Sequence, residues 1–237
     1  MSAFILKIIA LISMACDHTS YLIYGKFSFL NYIGRLAFPI FAFQISEGYI
    51  HTKNLKKYIL RLFIFALISE VPFLLFKSLF SSTFGLNVFF TLLIGLLAIT
   101  FYDELNKIKC KNKHMHYIFN FLGLIFVAVM AYIAEVTECD YGYYGVLAIF
   151  VFYIFKNHKF LMNMGFILCT VIFYLKNLII YRSLFSTYLL IIVFTCLSLV
   201  FIDLYNGRKG RNIKYFLYFF YPIHLLILYA LSFIVHS

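Results

Sequence analysis

The chain has no tryptophan, only nine acidic residues and few charges of either sign, 12% of its 237 residues. So few charges exclude an ordinary soluble fold, which carries about 25% charged and about 45–50% apolar residues. Here 64% of residues are hydrophobic and the mean hydropathy is +0.95. An aqueous fold has no core large enough for that apolar surface. Residues 1–237 are therefore expected to form a single integral-membrane domain. Without Trp, the interfacial aromatic belt falls to the 20 tyrosines. A C-x-x-C pair is also missing. Cys16, Cys110, Cys139, Cys169 and Cys196 are scattered, mostly inside apolar runs, which argues against a disulfide framework. No H-E-x-x-H, P-loop or G-x-S-x-G motif is present. His114 and His116 form an H-x-H pair in a loop, too weak a signal to imply a metal. There is no low-complexity segment and no internal repeat.

What is present is a series of apolar runs. They predict an all-α, polytopic transmembrane helical bundle of about nine spans, with eight and ten as the bounds. The runs are 3–23, 33–51, 58–76, 86–105, 115–134, 142–155, 159–175, 184–204 and 215–235. A helix needs about 20 residues to cross the bilayer core, so the sixth and seventh runs are short. The first run lacks a small-x-small cleavage site after a clean apolar core and is interrupted by Asp17-His18. It reads as a mature helix rather than a signal peptide.

The net charge of +11 raises the question of nucleic acid, but the cations sit in short clusters between apolar runs, as topology signals do. The even loops carry Lys53, Lys56 and Lys57, then Lys107, Lys109, Lys111 and Lys113, then Lys156 and Lys159, then Arg208, Lys209, Arg211 and Lys214. The odd loops carry only Lys26, Lys77, Lys176 and Arg182, and the fifth is acidic, with Glu135, Glu138 and Asp140. The positive-inside rule puts the even loops and the N-terminus in the cytoplasm, and cations clustered in this way predict no nucleic-acid partner.

Ionisable groups within the runs cost roughly 2.5–3.5 kcal/mol each on insertion scales. They persist by facing protein or a water-filled path. Asp17, His18, Arg35, Glu70 and Asn87 form an outer set; Glu47, His51, Lys56, Lys57 and Arg61 form an inner one; His224 lies near mid-membrane in the last run. Each also has a structural reading. Asp17 and His18 could be an interfacial polar pair. Glu47 and His51, four residues apart, could be a local ion pair. Asn87 and Thr91 could simply join helices, and His224 could be a satisfied core residue. Adjacent helical residues point about 100° apart, so Asp17 is poorly placed to orient His18 directly. Pro39 either bends the second run or sits in its first turn, and a helix break at Pro72 is expected to help hold Glu70. A histidine with intramembrane carboxylates suits either general-base catalysis or proton-coupled transport.

Several segments resemble the TraX family: KIIALISMACDH (7–18), IGRLAFPIFAF (33–43), EGYIHTKN (47–54), YILRL (58–62), FALISEVPF (65–73), LNVFFTLLIGL (86–96), DYGYYGVL (140–147), YNGRKG (205–210) and FYPIHLLIL (220–228). The resemblance covers most of the chain in the same order. It implies a relation to the acyltransferase-three superfamily and an acyl-CoA-dependent transfer, acetyl-CoA above all. The acceptor would be a pilin-like peptide amine or an envelope glycan hydroxyl. It matches His18 to the superfamily's first-span histidine. On that reading His18 is the general base, and Asp17 or Glu70 sets its tautomer. Arg35 or Asn87 would stabilise the oxyanion. Lys56, Lys57, Arg61, Arg208, Lys209 and Arg211 would hold the CoA phosphates. The alternatives are a proton-coupled transporter and a non-catalytic assembly factor.

Overall fold

The computed structural model describes residues 1–24, 27–81, 83–108, 113–181 and 184–235, with the side chains of Lys176 and Val235 left aside. Lys26, Lys109, Cys110, Lys111 and Arg182 lie outside the described residues. Among the described residues there are ten helices and no strand beyond one isolated bridge. They are α1 (Ala3–Tyr24), α2 (Phe29–Gly34), α3 (Ala37–His51), α4 (Leu55–Lys77), α5 (Val88–Lys107), α6 (Lys113–Val136), α7 (Gly142–Ile154), α8 (Lys159–Ile180), α9 (Phe185–Asp203) and α10 (Lys214–Val235). The fold is an all-α membrane bundle, and every apolar run of the sequence is helical. Among the described residues seven helices are long and apolar enough to cross a membrane, and α7 is a shorter apolar one.

Two predicted features change. The second run is not one helix. It divides at Arg35–Leu36 into α2 and α3. Ser28 starts α2 with a capping box, its Oγ accepting from Leu30 N while its own N–H donates to Asn31 Oδ1 at 2.7 Å. Pro39 is the third residue of α3, in the first turn, where its missing N–H is no loss. The expected break at Pro72 does not occur either: α4 runs through it to Lys77. A single unmade backbone bond is tolerated within a packed membrane helix.

The core follows from α7. Its 13 residues are mostly buried, including Tyr144, Val146, Ala148, Ile149 and Phe152. Helices α3, α5, α6 and α8 pack around it. By contrast α6 buries only Gly123, Val127, Ala131 and Ala134. Small residues let it approach α5 closely, and its remaining apolar faces suit lipid. Helix α10 packs on α1 and α4.

Each side of the bundle is laced together. On the N-terminal side, Ala3 N–H donates to Arg208 O at 2.8 Å and Phe4 N–H to Lys209 O at 3.2 Å. Gly207 and Gly210 make this return possible with φ of +74° and +68°. The same side joins α3, α5 and α7: the Asp103 carboxylate accepts from the hydroxyls of Tyr49 and Tyr153. On the far side Leu86 N–H donates to Glu138 O at 3.1 Å and Asp140 N–H to Leu86 O at 2.8 Å. The described cations of the even loops therefore share one side of the bundle.

Candidate active site

His18 lies on α1 against α10. Its Nδ1 is 2.7 Å from His224 Nε2, and the two rings lie edge to edge, with centroids 5.0 Å apart and planes only 10° apart. His224 Nδ1 is 2.8 Å from the Phe220 carbonyl. A carbonyl only accepts, so His224 Nδ1 carries its hydrogen and donates it. In neutral His224 that leaves Nε2 as an acceptor. His18 Nδ1 must then carry a hydrogen and donate it to His224. The network thereby assigns both tautomers and leaves His18 Nε2 as the free basic nitrogen. His18 also meets Phe76 of α4 at 5.2 Å and Tyr221 of α10 at 6.4 Å.

The expected carboxylate partner of His18 is absent from this arrangement. Asp17 points away, toward α2. Its Oδ1 accepts from Arg35 Nη2 at 2.9 Å and from Asn31 Nδ2 at 3.0 Å. Gly34 allows this contact, since a Cβ there would lie 2.4 Å from Asp17 Cβ. Asn31, wholly buried, is held in turn by Ser20 Oγ at 2.7 Å. Arg35 donates from Nε to Asn31 O at 3.2 Å and interacts with the hydroxyls of Tyr21 and Tyr174.

Glu70 and Asn87 stand apart from His18. Asn87 caps α5, accepting from Phe89 N–H at 3.0 Å. Its Nδ2 donates to Ala66 O at 2.7 Å and to Glu70 Oε2 at 2.5 Å, and its own N–H donates to the same Glu70 oxygen at 3.2 Å. Both side chains thus clamp α4 to α5. Asn87 has no donor left for an oxyanion, and Glu70 is held by Asn87 rather than by backbone freed at Pro72.

Asp17, His18 and Arg35 line one cavity of about 460 Å³, opening toward the far side with Asp140, Tyr141 and Tyr174. The last three were not singled out in the sequence as site residues. Burial pushes the Asp140 carboxyl up to about 6, with Asp17 acting in the same direction and Arg35 opposing. Tyr141 caps α7 at φ +67°, a strained conformation for a bulky residue, and stacks on Phe38 at 3.8 Å. The turn-like D-Y-G of residues 140–142 was the one available signal for it.

A second cavity of about 620 Å³ lies on the N-terminal side. Of the six predicted phosphate ligands only Arg61 and Lys209 line it; Lys7, Lys53 and Lys214 complete its cations. Lys56, Lys57, Arg208 and Arg211 are exposed and do not line it. Lys56 and Lys57 occupy the first turn of α4, outside the inward stripe of Leu62, Phe65 and Ser69. The Arg61 Nε is buried and has no hydrogen-bond partner among the described residues. Glu47 and His51 form the local pair foreseen from their spacing, 3.4 Å apart, at the same cavity. Tyr205 faces Glu47 there, and burial and that carboxylate push its hydroxyl up to about 12. Among the described residues no group of three or more His, Cys, Asp or Glu could hold a metal ion.

The family model described as TraX protein matches residues 2–232. A probable fimbrial assembly protein FimC, serogroup H1, of Dichelobacter nodosus is 29% identical over 244 aligned positions, covering 96% of this chain and 94% of the relative. No solved structure matches. With the match running over nearly the whole bundle, both cavities included, the chain belongs to the TraX family.

Proposed function

We propose that this multi-pass protein is an acyltransferase of the bacterial cytoplasmic membrane. It would take an acyl group, acetyl first of all, from CoA on the cytoplasmic side and pass it to an extracytoplasmic acceptor. The single observation that carries the proposal is the tautomer-fixed His18–His224 pair, which leaves one basic nitrogen at a cavity. Support comes from the cation-lined cavity beneath it and from the orphaned Arg61 Nε, a donor that a phosphate oxygen would satisfy. The positive-inside rule supports a cytoplasmic N-terminus, since Lys53, Lys156, Lys159 and Lys209 share its side.

In the proposed step the acceptor nitrogen or oxygen attacks the thioester carbon. His18 Nε2 takes the acceptor's proton as the new bond forms. The C–S bond breaks, and the departing CoA sulfur receives that proton from His18. Arg35, at the same cavity, stabilises the oxyanion while Asp17 holds it in place. The relative's name, a probable fimbrial assembly protein, favours a pilus-subunit peptide amine over an envelope glycan hydroxyl.

The test uses purified protein in liposomes with labelled acetyl-CoA on one side only. The reading expects label on a peptide amine or a glycan when the donor is on the N-terminal side, and a rise in apparent thermal stability with CoA. A pH-gradient-driven uptake with no CoA effect would replace this reading with transport.

A further inference from the structure

The two cavities abut. Met14 of α1, Phe41 of α3, Val88 of α5 and Tyr221 of α10 line both of them. Four different helices thus contribute one side chain each to a shared wall. Met14 lies four residues before His18, and Tyr221 three before His224, so each stands one turn below a member of the histidine pair. Met14 and Tyr221 are buried, with 8% and 4% of their surface exposed. Phe41 and Val88 are only half-buried, because each faces void on both sides.

We propose that Met14, Phe41, Val88 and Tyr221 form a collar that selects the acyl group by size, admitting a short acyl thioester to His18 and excluding long chains. The inference rests on the acyltransferase reading and deepens it. A donor held by cations on the N-terminal side reaches His18 only by passing this wall. The wall is built of three bulky side chains and one branched one. Each added methylene must therefore displace Met14, Phe41 or Tyr221, whose neighbours are already packed: Tyr221 meets Phe89 edge-on at 5.3 Å. Overpacking of such a wall is unfavourable. One methylene misfitted in an apolar passage changes rates by about tenfold or more.

The test compares acetyl-, butyryl- and hexanoyl-CoA as donors. Wild type is expected to transfer acetyl fastest and hexanoyl slowest. Phe41→Ala, which opens the collar from a helix that carries neither histidine, raises the hexanoyl-to-acetyl ratio by about tenfold. Val88→Phe lowers transfer of every donor while CoA still stabilises the protein, since the cations lie below the collar. An unchanged donor profile in Phe41→Ala overturns the collar but leaves the acyltransferase reading standing.

If wild type transfers nothing from any donor, that reading falls, and a second measurement decides the collar on its own. Val88→Cys, in a background with the five natural cysteines replaced, is labelled with maleimides bearing methyl or hexyl groups. A size filter gives slower labelling with the longer group, and Phe41→Ala removes the difference. Equal rates in both backgrounds contradict the filter.

Discussion

In the proposed mechanism His18 acts as a base and needs its tautomer set, and a second histidine sets it: His224 accepts from His18 Nδ1 at 2.7 Å and is itself fixed by the Phe220 carbonyl. His224→Phe removes the acceptor and is expected to lower kcat about a hundredfold, within the usual range for general-base catalysis. His224→Gln keeps an acceptor near the old Nε2 and should restore part of the rate. The pH–rate profile separates this from mere misfolding, because only loss of the acceptor moves the His18 limb. A second residue-scale effect concerns Asp140. Its folded carboxyl is raised from 3.8 to about 6, chiefly by burial. The folded state therefore holds this proton more tightly than the unfolded one, and stability falls as pH rises through that window. Asp140→Asn should flatten that part of a plot of Tm against pH. If it leaves the slope intact, Asp140 is not the group responsible. His18 was legible ahead of the structure because it interrupts an apolar run. Its partner was not, because 206 positions separate the two rings and no local pattern links them.

At the scale of elements, the side chains that looked most catalytic after His18 turn out to join helices. Asn87 and Glu70 tie the start of α5 to the middle of α4 through three donated hydrogen bonds. Asn87→Ala should cost roughly 2 kcal/mol of stability, from a lost cap and an orphaned carboxylate. It should leave kcat per folded molecule near wild type. A drop in kcat with unchanged Tm would put Asn87 back in the chemistry. The apolar runs foretold the helices because membrane helices must satisfy their backbone internally, so hydropathy alone locates them. The division at Arg35–Leu36 directly follows Gly34 and lies three residues before Pro39, so the sequence carried a local signal for it. Pro72 did announce a break, yet α4 runs through it, as α10 runs through Pro222. Contacts with neighbouring helices outweigh a single missing backbone bond. The division matters to the site: α2 packs on α1, and Asp17 meets Arg35 where α2 ends.

For the molecule as a whole, the arrangement is two cavities in series: an aromatic and acidic one on the far side and a basic one on the N-terminal side. Charge counting in loops found the basic side but not which cations face inward, since that depends on where α4 begins and how residues 204–210 fold back on α1. Arg61→Gln is expected to raise the KM for acetyl-CoA about tenfold with kcat little changed, the mark of uniform binding. Lys56→Gln, on the exposed first turn of α4, should change neither. Equal effects of the two substitutions would argue that the inner cavity does not hold the donor. The central claim is that His18 carries the proton in acyl transfer across this bundle. Its most direct test is transfer of label from acetyl-CoA, supplied on the N-terminal side of proteoliposomes, by wild type and by His18→Ala protein matched for folding by Tm. The account predicts label on the acceptor with wild type and a loss of at least about a hundredfold with His18→Ala; transfer at the wild-type rate in His18→Ala would contradict it.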